Sequence, residues 1–281
     1  MPDLGDLSGP FGPSVIGDRP LPWRLAVSEW TLRERSTERA LERIAAAGFD
    51  AVELGGATVH QARAQRALAA TGLQVTSVCP LFGAEHDFAA DDPAVRQAAA
   101  DLLRCWIEFA GEVGAPIVIV VPSDRPLPCT AAPRQELLAR CAQAIADVAA
   151  DYGPAAPTLV IEPLNRYETH LVRSLAEAEQ LRRLIASDRV AVMADVFHMN
   201  LEEDSLTAPL REHAGHIRHV HLADNQRREP GSGRLEFAEV FRALAAASYA
   251  GALALEFLPA TDAALRAARR YLGQPENRRE D

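Results

Sequence analysis

The chain has 281 residues, a hydrophobic fraction of 48% and a formal net charge of −10. This length and apolar content suit one large α/β domain and do not indicate a disordered protein. An acidic surface repels phosphate backbones, so we expect no nucleic-acid partner. No run approaches the roughly 20 apolar residues that span a bilayer, and no secretory signal is visible. We therefore expect a cytoplasmic protein without a membrane partner.

All 29 basic residues are arginines. Schiff-base chemistry, pyridoxal phosphate attachment and the phosphate-binding lysine of P-loops all need an ε-amine, so these function classes are excluded. Chemistry on a carbonyl substrate would need another electrophile, for which a metal ion is the obvious candidate. The four cysteines have no CxxC spacing, and we interpret them as reduced thiols. They are Cys79, Cys105, Cys129 and Cys141.

Residues 1–22 are rich in proline and glycine without periodicity, so we expect a short, irregular and flexible N-terminal arm. Short β-rich runs then alternate with longer helical runs over residues 23–274, and residues 275–281 form a C-terminal tail. The predicted strands are 24–27, 51–54, 73–78, 117–121, 158–162, 190–195, 216–222 and 252–257. The predicted helices are 37–47, 59–71, 93–113, 133–152, 175–187, 206–213, 237–247 and 262–272.

Eight strands, each followed by a helix, predict a single closed (β/α)8 TIM barrel as the catalytic domain. An open doubly wound sheet is the alternative. That fold would place a glycine-rich phosphate turn after the first strand, whereas residues 28–32 read Ser-Glu-Trp-Thr-Leu. The order of elements thus favours the barrel.

Polar side chains stand at the ends of four consecutive predicted strands, the fifth to the eighth. They are Glu162, Asp195, His221 and Glu256. Side chains alternate along a strand, so Glu256 shares a face with Ala252 and Ala254, and this face points into the barrel. Active sites of the fold gather at this end of the strands. Three carboxylates and one imidazole favour one divalent ion, with Mn²⁺ preferred and Mg²⁺ or Co²⁺ as alternatives.

Each of these residues also has a purely structural interpretation. Asp195 can cap a helix, and Glu162 can accept backbone hydrogen bonds. His219 and His221 share a strand face, and we assign the deeper His219 to a core or supporting role. Taken together, however, three buried acids without a cation would repel one another and carry a heavy desolvation cost. The set therefore predicts a metal site.

Other polar residues have less context. Arg182 and Arg183 lie on a helix and are expected to form a solvated face. Arg227 and Arg228 lie in a Gly/Pro-rich loop above the barrel, which can reach a substrate hydroxyl or phosphate. The remaining histidines are interpreted as surface or loop residues. They are His60, His86, His170, His213 and His216.

Three motifs resemble the xylose isomerase-like barrel family of sugar isomerases and epimerases, and among them the ketose 3-epimerase branch. The first is EPLNRYE at residues 162–168, the second is DVFHMN at residues 195–200, and the third is His221 with Arg227 and the loop at residues 230–233. Glu256 falls at the position of the fourth metal ligand. The resemblance covers most of residues 23–272.

The resemblance implies a divalent-metal-dependent ketose 3-epimerase with a small-molecule sugar as its substrate. Glu162 and Glu256 would be the two opposed catalytic bases, which invert C3 through a cis-enediolate. Glu168, His198 and Arg227 would bind the sugar. The protein would be a homo-oligomer, either a dimer or a tetramer.

Two segments depart from the 3-epimerase pattern. The loop after His221 reads Leu-Ala-Asp-Asn-Gln-Arg-Arg, whereas those enzymes carry a Gly-Glu pair after the histidine, and the loop at residues 121–129 lacks the aromatic wall expected beside a free ketohexose. Trp30 is a candidate for that wall, whereas Trp106 is expected to pack in a helix. The departures leave a phosphorylated sugar, an inosose or a larger glycosylated ligand open as substrates.

Functions of other classes remain as alternatives. A lyase on the same scaffold, of the inosose or dehydroshikimate dehydratase type, would expel a β-hydroxyl from the enediolate. Cleavage of a keto-glycoside would need an oxidised glycoside. A DNA-repair endonuclease relative is disfavoured, because it would carry more histidines and a basic face and this chain has neither. A non-catalytic binding protein would not need two opposed carboxylates.

Overall fold

The computed structural model describes residues 14–16, 19–56, 61–128 and 131–273. The strands are β1 (Ser14–Ile16), β2 (Arg19–Leu21), β3 (Leu25–Ser28), β4 (Ala51–Gly56), β5 (Gln74–Pro80), β6 (Ile117–Val120), β7 (Thr158–Ile161), β8 (Val190–Asp195), β9 (Ile217–Leu222) and β10 (Leu253–Leu255). The α-helices are α1 (Thr37–Ala46), α2 (Gln61–Thr71), α3 (Pro93–Val113), α4 (Arg134–Ala150), α5 (Leu175–Ile185), α6 (Val196–Glu202), α7 (Thr207–Glu212), α8 (Phe237–Ala246) and α9 (Asp262–Leu272).

Strands β3 to β10 close a parallel barrel in which chain neighbours lie side by side and β10 pairs with β3. The TIM barrel prediction is confirmed, with strand ends that lie within two residues of the predicted ones. Within the arm that the sequence predicts to be irregular, β1 and β2 instead pair as a two-stranded antiparallel sheet. The rest of the arm and the predicted tail at 275–281 lie outside the described residues, as do His60 and Cys129.

Apolar side chains form two separate layers around the barrel strands. The interior layer includes Ala191 and Met193 on β8 and Ala254 on β10, which agrees with the predicted inward parity of these strands. Leu253, Leu255 and Phe257 point the other way and join the core between strands and helices. Because apolar side chains cover both faces of the parallel sheet, an open functional site can form only at the strand ends, where the polar residues lie.

Sequence-local signals set the helix starts. The side chains of Ser174 and Thr261 cap α5 and α9 by accepting a hydrogen bond from the backbone three residues on, and Pro93 occupies the first turn of α3. Trp106 is buried in α3, as predicted. None of the helices in the described ranges is long and apolar enough to cross a membrane.

A buried carboxylate on α5 corrects one expectation about the helix surfaces. Glu179 is 2% exposed and accepts hydrogen bonds from Arg182 at 2.7 and 2.9 Å and from Arg183 at 2.9 Å. His216 Nδ1 lies 3.3 Å from the same carboxylate. The arginine pair therefore neutralises an internal acid instead of forming only a solvated face. His213, expected at the surface, is also buried.

We expect Glu179→Gln to lower the free energy of unfolding by about 1–2 kcal/mol at pH 7. The hydrogen bond from Arg182 outweighs burial and lowers the pKa of Glu179 from 4.5 to about 2. A lowered pKa stabilises the fold above the unfolded pKa, so the difference from wild type should vanish as the pH falls from 4.5 towards 2. Urea unfolding over this pH range, with the exposed Glu108→Gln as control, measures it. A difference that stays constant with pH would contradict the assignment.

Candidate active site

Four side chains from consecutive strand ends converge at the carboxyl end of the barrel. Asp195, the last residue of β8, lies directly opposite His221 on β9, and Glu162 and Glu256 follow β7 and β10. One ligand atom from each of the four lies within 4.8 Å of all the others. His221 Nδ1 lies close to all three acids, at 3.3 Å from a carboxylate oxygen of Glu256 and 3.6 Å from those of Glu162 and Asp195. All four residues are buried.

His221 is held in its orientation by Glu53, a residue that the sequence alone does not single out. Glu53, on β4 and fully buried, lies with Oε2 3.0 Å from His221 Nε2 and 2.8 Å from His219 Nε2, and it accepts a 2.7 Å hydrogen bond from Ser77. An ionised carboxylate only accepts, so His221 carries a proton on Nε2, and in the neutral imidazole the Nδ1 lone pair then faces the three acids. His219 sits one layer deeper, as predicted.

The residues fit a divalent cation by the chemistry of their donor atoms. His221 Nδ1 is buried and has no hydrogen-bond partner among the described residues, which is costly for a polar atom unless it binds a cation or water. A metal-binding histidine that donates its other ring N–H to a carboxylate is the usual arrangement around protein metals. Three oxygens and one nitrogen suit Mn²⁺, Mg²⁺ or Co²⁺.

The electrostatics of the cluster also favour a bound cation. Burial raises the pKa of Glu162, and the carboxylates of Glu256 and Asp195 raise it further. Burial acts to lower the pKa of His221, but Glu53 and Glu256 outweigh it and raise that pKa well above the usual value. Protons thus bind where carboxylates crowd together, and a divalent ion can replace them.

Asp195 combines the two roles considered for it. Its Oδ1 accepts hydrogen bonds from the backbone of Phe197 at 2.7 Å and His198 at 3.1 Å, which caps α6. Its Oδ2 faces the cluster, 3.6 Å from His221 Nδ1. Burial acts to raise the pKa of Asp195, but His198 and His221 lower it below the usual value. One oxygen therefore caps α6, and the other faces the cluster and is available as a ligand atom.

His198 and Glu168 lie beside the cluster on a shared hydrogen-bond network. His198 Nδ1 accepts from the backbone of Asn165 at 3.1 Å, which leaves the buried Nε2 as a donor without a partner among the described residues. The side-chain amide of Asn165 lies 2.8 Å from the same Nδ1 and donates to Glu168 at 2.7 Å. Asn165, to which no separate role is assigned from the sequence, thus contacts two predicted substrate-binding residues and holds them in place.

Arg227 is the cation nearest to the ligand set. Its guanidinium donates to Glu256 Oε2 at 2.6 Å and to Glu168 Oε1 at 3.4 Å. It also lies 5.9 Å from the centroid of the Trp30 ring and 5.1 Å from that of Phe197. Trp30 in turn donates from Nε1 to Glu256 Oε1 at 3.1 Å. Two aromatic rings and two carboxylates therefore fix the position of Arg227.

A cavity of about 310 Å³ opens above these residues. Trp30 forms part of its wall, as predicted, with Phe82 and the buried Cys79. This volume suits a small ligand such as a monosaccharide. Four acidic side chains and one basic side chain line it. They are Asp124, Glu162, Glu168, Glu256 and Arg227.

We expect Glu53→Gln to weaken Mn²⁺ binding about 10- to 100-fold, because removal of the partner of a metal-binding histidine releases its tautomer and orientation. Calorimetric titration with Mn²⁺ measures the effect. Glu29→Gln is the matched control, since Glu29 is an acid at the end of the neighbouring strand β3. Unchanged Mn²⁺ affinity in folded Glu53→Gln would show that Glu53 does not orient His221.

Comparison with known proteins shows that the chain is similar to sugar epimerases in sequence and fold. Residues 41–273 match the family model described as xylose isomerase-like TIM barrel. The 3-dehydro-D-guloside 4-epimerase of Escherichia coli (strain K12) is 31% identical over 223 residues, which cover 74% of this chain and 82% of the relative. The L-ribulose 3-epimerase of Mesorhizobium japonicum is 30% identical, with coverage of 83% and 80%. A solved L-ribulose 3-epimerase structure superimposes with a TM-score of 0.82 at 27% identity, covering 91% of this chain and 96% of that chain.

Proposed function

The chain belongs to the xylose isomerase-like TIM barrel family, and from this premise we propose that it is a sugar epimerase that inverts C3 of a ketose. The observation that carries the proposal is the pair of buried glutamates at the outer two of four consecutive strand ends, with an unpartnered histidine nitrogen between them. Relatives named as L-ribulose and D-psicose 3-epimerases support it.

We propose Glu162, Asp195, His221 and Glu256 as ligands of one divalent ion, with Mn²⁺ as the preferred metal. Held by these residues, such an ion would polarise the sugar carbonyl and would offset the negative charge that develops when the adjacent C–H loses its proton. The ligand shell contains one imidazole and no thiolate among these four residues, so harder ions than zinc are favoured.

The two glutamates act as bases on opposite faces of the sugar. One removes the C3 proton, and the resulting enediolate receives a proton from the other face, which inverts the centre. The raised pKa of Glu162 suits this role, because burial beside other carboxylates makes the group a stronger base than an exposed glutamate. His198 Nε2 donates to a sugar oxygen, while Glu168 and Arg227 hold the hydroxyls.

We propose that the substrate carries no phosphate. Arg227 is the one basic residue among those lining the cavity, and it is already paired with Glu256 and Glu168. Asp124, on the loop after β6, adds a further acid to the same wall. A phosphate would meet carboxylates there without a further basic side chain to balance it, which is unfavourable.

We expect Asp124→Asn to raise kcat/KM for a ketose phosphate about tenfold relative to the same free ketose, because it removes one repulsive charge from a partly buried cavity. Competition between the two sugars in one reaction measures the ratio. Asp188→Asn, an exposed acid that precedes β8 at the other end of the barrel, is the control. A ratio that does not change would show that Asp124 does not set the charge preference.

The experiment that tests the function is NMR in D₂O with Mn²⁺ across a panel of free and phosphorylated ketoses and 3-keto-glycosides. Deuterium at C3 together with a new C3 epimer is the expected result. Label at C1 alone would indicate an aldose–ketose isomerase, and a conjugated carbonyl product would indicate a lyase.

A second candidate follows from one comparison. The 31% identity to a 3-dehydro-D-guloside 4-epimerase favours inversion at C4 of a 3-keto-glycoside, which the same panel detects as label at C4. The homo-oligomeric state and the cytoplasmic location stay predictions, which size-exclusion chromatography with light scattering and cell fractionation test.

A further inference from the structure

The loop between β9 and α8 folds around the carboxylate of Asp224, which is not one of the proposed metal ligands. Asp224 is fully buried, and five backbone N–H groups donate to it at 2.8–3.2 Å. Oδ1 accepts from Asn225, Arg234 and Leu235, and Oδ2 accepts from Gly231 and Gly233. Backbone hydrogen bonds to a buried charge are strong, so this carboxylate defines the shape of the loop.

Two glycines, Gly231 and Gly233, allow the loop backbone to adopt this conformation. Gly231 has a φ of +87°, which favours glycine. A Cβ at Gly233 would lie 2.2 Å from Asp224 Oδ1, so the backbone can approach the carboxylate only without a side chain. The Gly-Ser-Gly segment at residues 231–233 therefore allows the backbone to approach the Asp224 carboxylate and donate hydrogen bonds to it.

Arg227 is mounted on this loop. Its backbone N–H donates to the carbonyl of Asp224 at 3.0 Å, and its carbonyl accepts from Leu258, just after Glu256, at 2.7 Å. Arg227 and Gln226 both adopt left-handed φ values, of 56° and 65°. Such a conformation costs energy in residues with a side chain, so the surrounding hydrogen bonds must maintain it. Those bonds place the guanidinium 2.6 Å from Glu256.

We propose that Asp224 is a positioning residue for the reaction, which acts on the sugar through Arg227 and does not itself line the described cavity. This inference rests on the proposed role of Arg227 in sugar binding. An ionised carboxylate offers acceptors to all five donors, whereas an asparagine must turn its NH₂ towards two or three of them. Asp224→Asn therefore releases the loop and allows Arg227 to leave Glu256.

A double-mutant cycle of Asp224→Asn and Arg227→Ala tests the proposal. Each single variant is expected to lower kcat/KM for the ketose about 10- to 100-fold, chiefly by raising KM. The double variant should be no slower than Arg227→Ala alone, because Asp224 acts through Arg227. Glu179→Gln is the structural control, expected to lose stability without any change in KM. Single effects that multiply in the double variant would overturn the proposal.

A crystal structure of Asp224→Asn with Mn²⁺ separates this proposal from the proposed function. Loss of the Arg227–Glu256 ion pair is expected whether or not a ketose is turned over. Retention of the pair in the variant would overturn the positioning role. If the pair is lost but wild type epimerises no sugar, the positioning role stands and the proposed function fails.

Discussion

Glu256→Gln and Glu162→Gln are each expected to lower the rate of C3 epimerisation by about a thousandfold or more, since each removes a proton-transfer group and a metal ligand. The two losses should differ in one respect. The base that remains can still remove the proton of one C3 epimer and return solvent deuterium to the same face. Each variant should therefore exchange the C3 hydrogen of one epimer, a different one in each case, without inverting it.

Metal content must be matched for this comparison, because both residues contact the ion in the proposed site. The assays are run at a Mn²⁺ concentration that saturates each variant, as measured by calorimetry. Exchange of both epimers by a single variant, or epimerisation within tenfold of wild type, would show that the two glutamates are not the opposed bases.

Asp195→Asn is expected to weaken Mn²⁺ binding at least about 100-fold while the barrel stays folded. The backbone N–H groups of Phe197 and His198 require an oxygen at Oδ1, so the amide oxygen takes that position. The NH₂ group then points at the ion in place of Oδ2, where it cannot serve as a ligand. Activity should be lost at low Mn²⁺ and recover in part at high Mn²⁺.

Asp195→Ala separates the two functions of this side chain. It removes the cap of α6 as well as the ligand, so it should unfold about 1 kcal/mol more easily than Asp195→Asn with a similarly weak affinity for Mn²⁺. Thermal unfolding and Mn²⁺ titration of the pair measure the difference. Wild-type Mn²⁺ affinity in Asp195→Asn would exclude Asp195 from the ligand set.

The strand ends were predictable because they depend on local patterns. The run from Val190 to Asp195 is apolar and β-branched until it meets an acid, and the structure ends β8 at that acid. The alternation of side chains along β10 predicts that Ala254 points into the barrel, and the structure confirms this. The four residues proposed as ligands meet because parallel neighbours bring their ends to one rim, so their convergence follows from the topology.

The missed features depend on contacts between distant parts of the chain. Glu53 reads as a single acid in an apolar strand, and its partner His221 lies 168 positions away. Parity relative to Ala51, which faces the barrel interior, was the one signal that could have found it. Helix α6 was missed because its seven residues are too short for a clear period. Arg182 and Arg183 are predicted to be solvated because the sequence does not show that their partner Glu179 is buried. The burial of Glu179 depends on how its helix packs in the fold.

The most direct measurement uses a ketose deuterated at C3, incubated in H₂O with the Mn²⁺-loaded enzyme and stopped before one turnover is complete. Two opposed glutamates predict that the new epimer carries hydrogen at C3 and no retained deuterium, because the proton removed on one face is never the proton returned on the other. Substantial deuterium in the product would mean that a single group carries the hydrogen across, and would contradict the two-base site at Glu162 and Glu256.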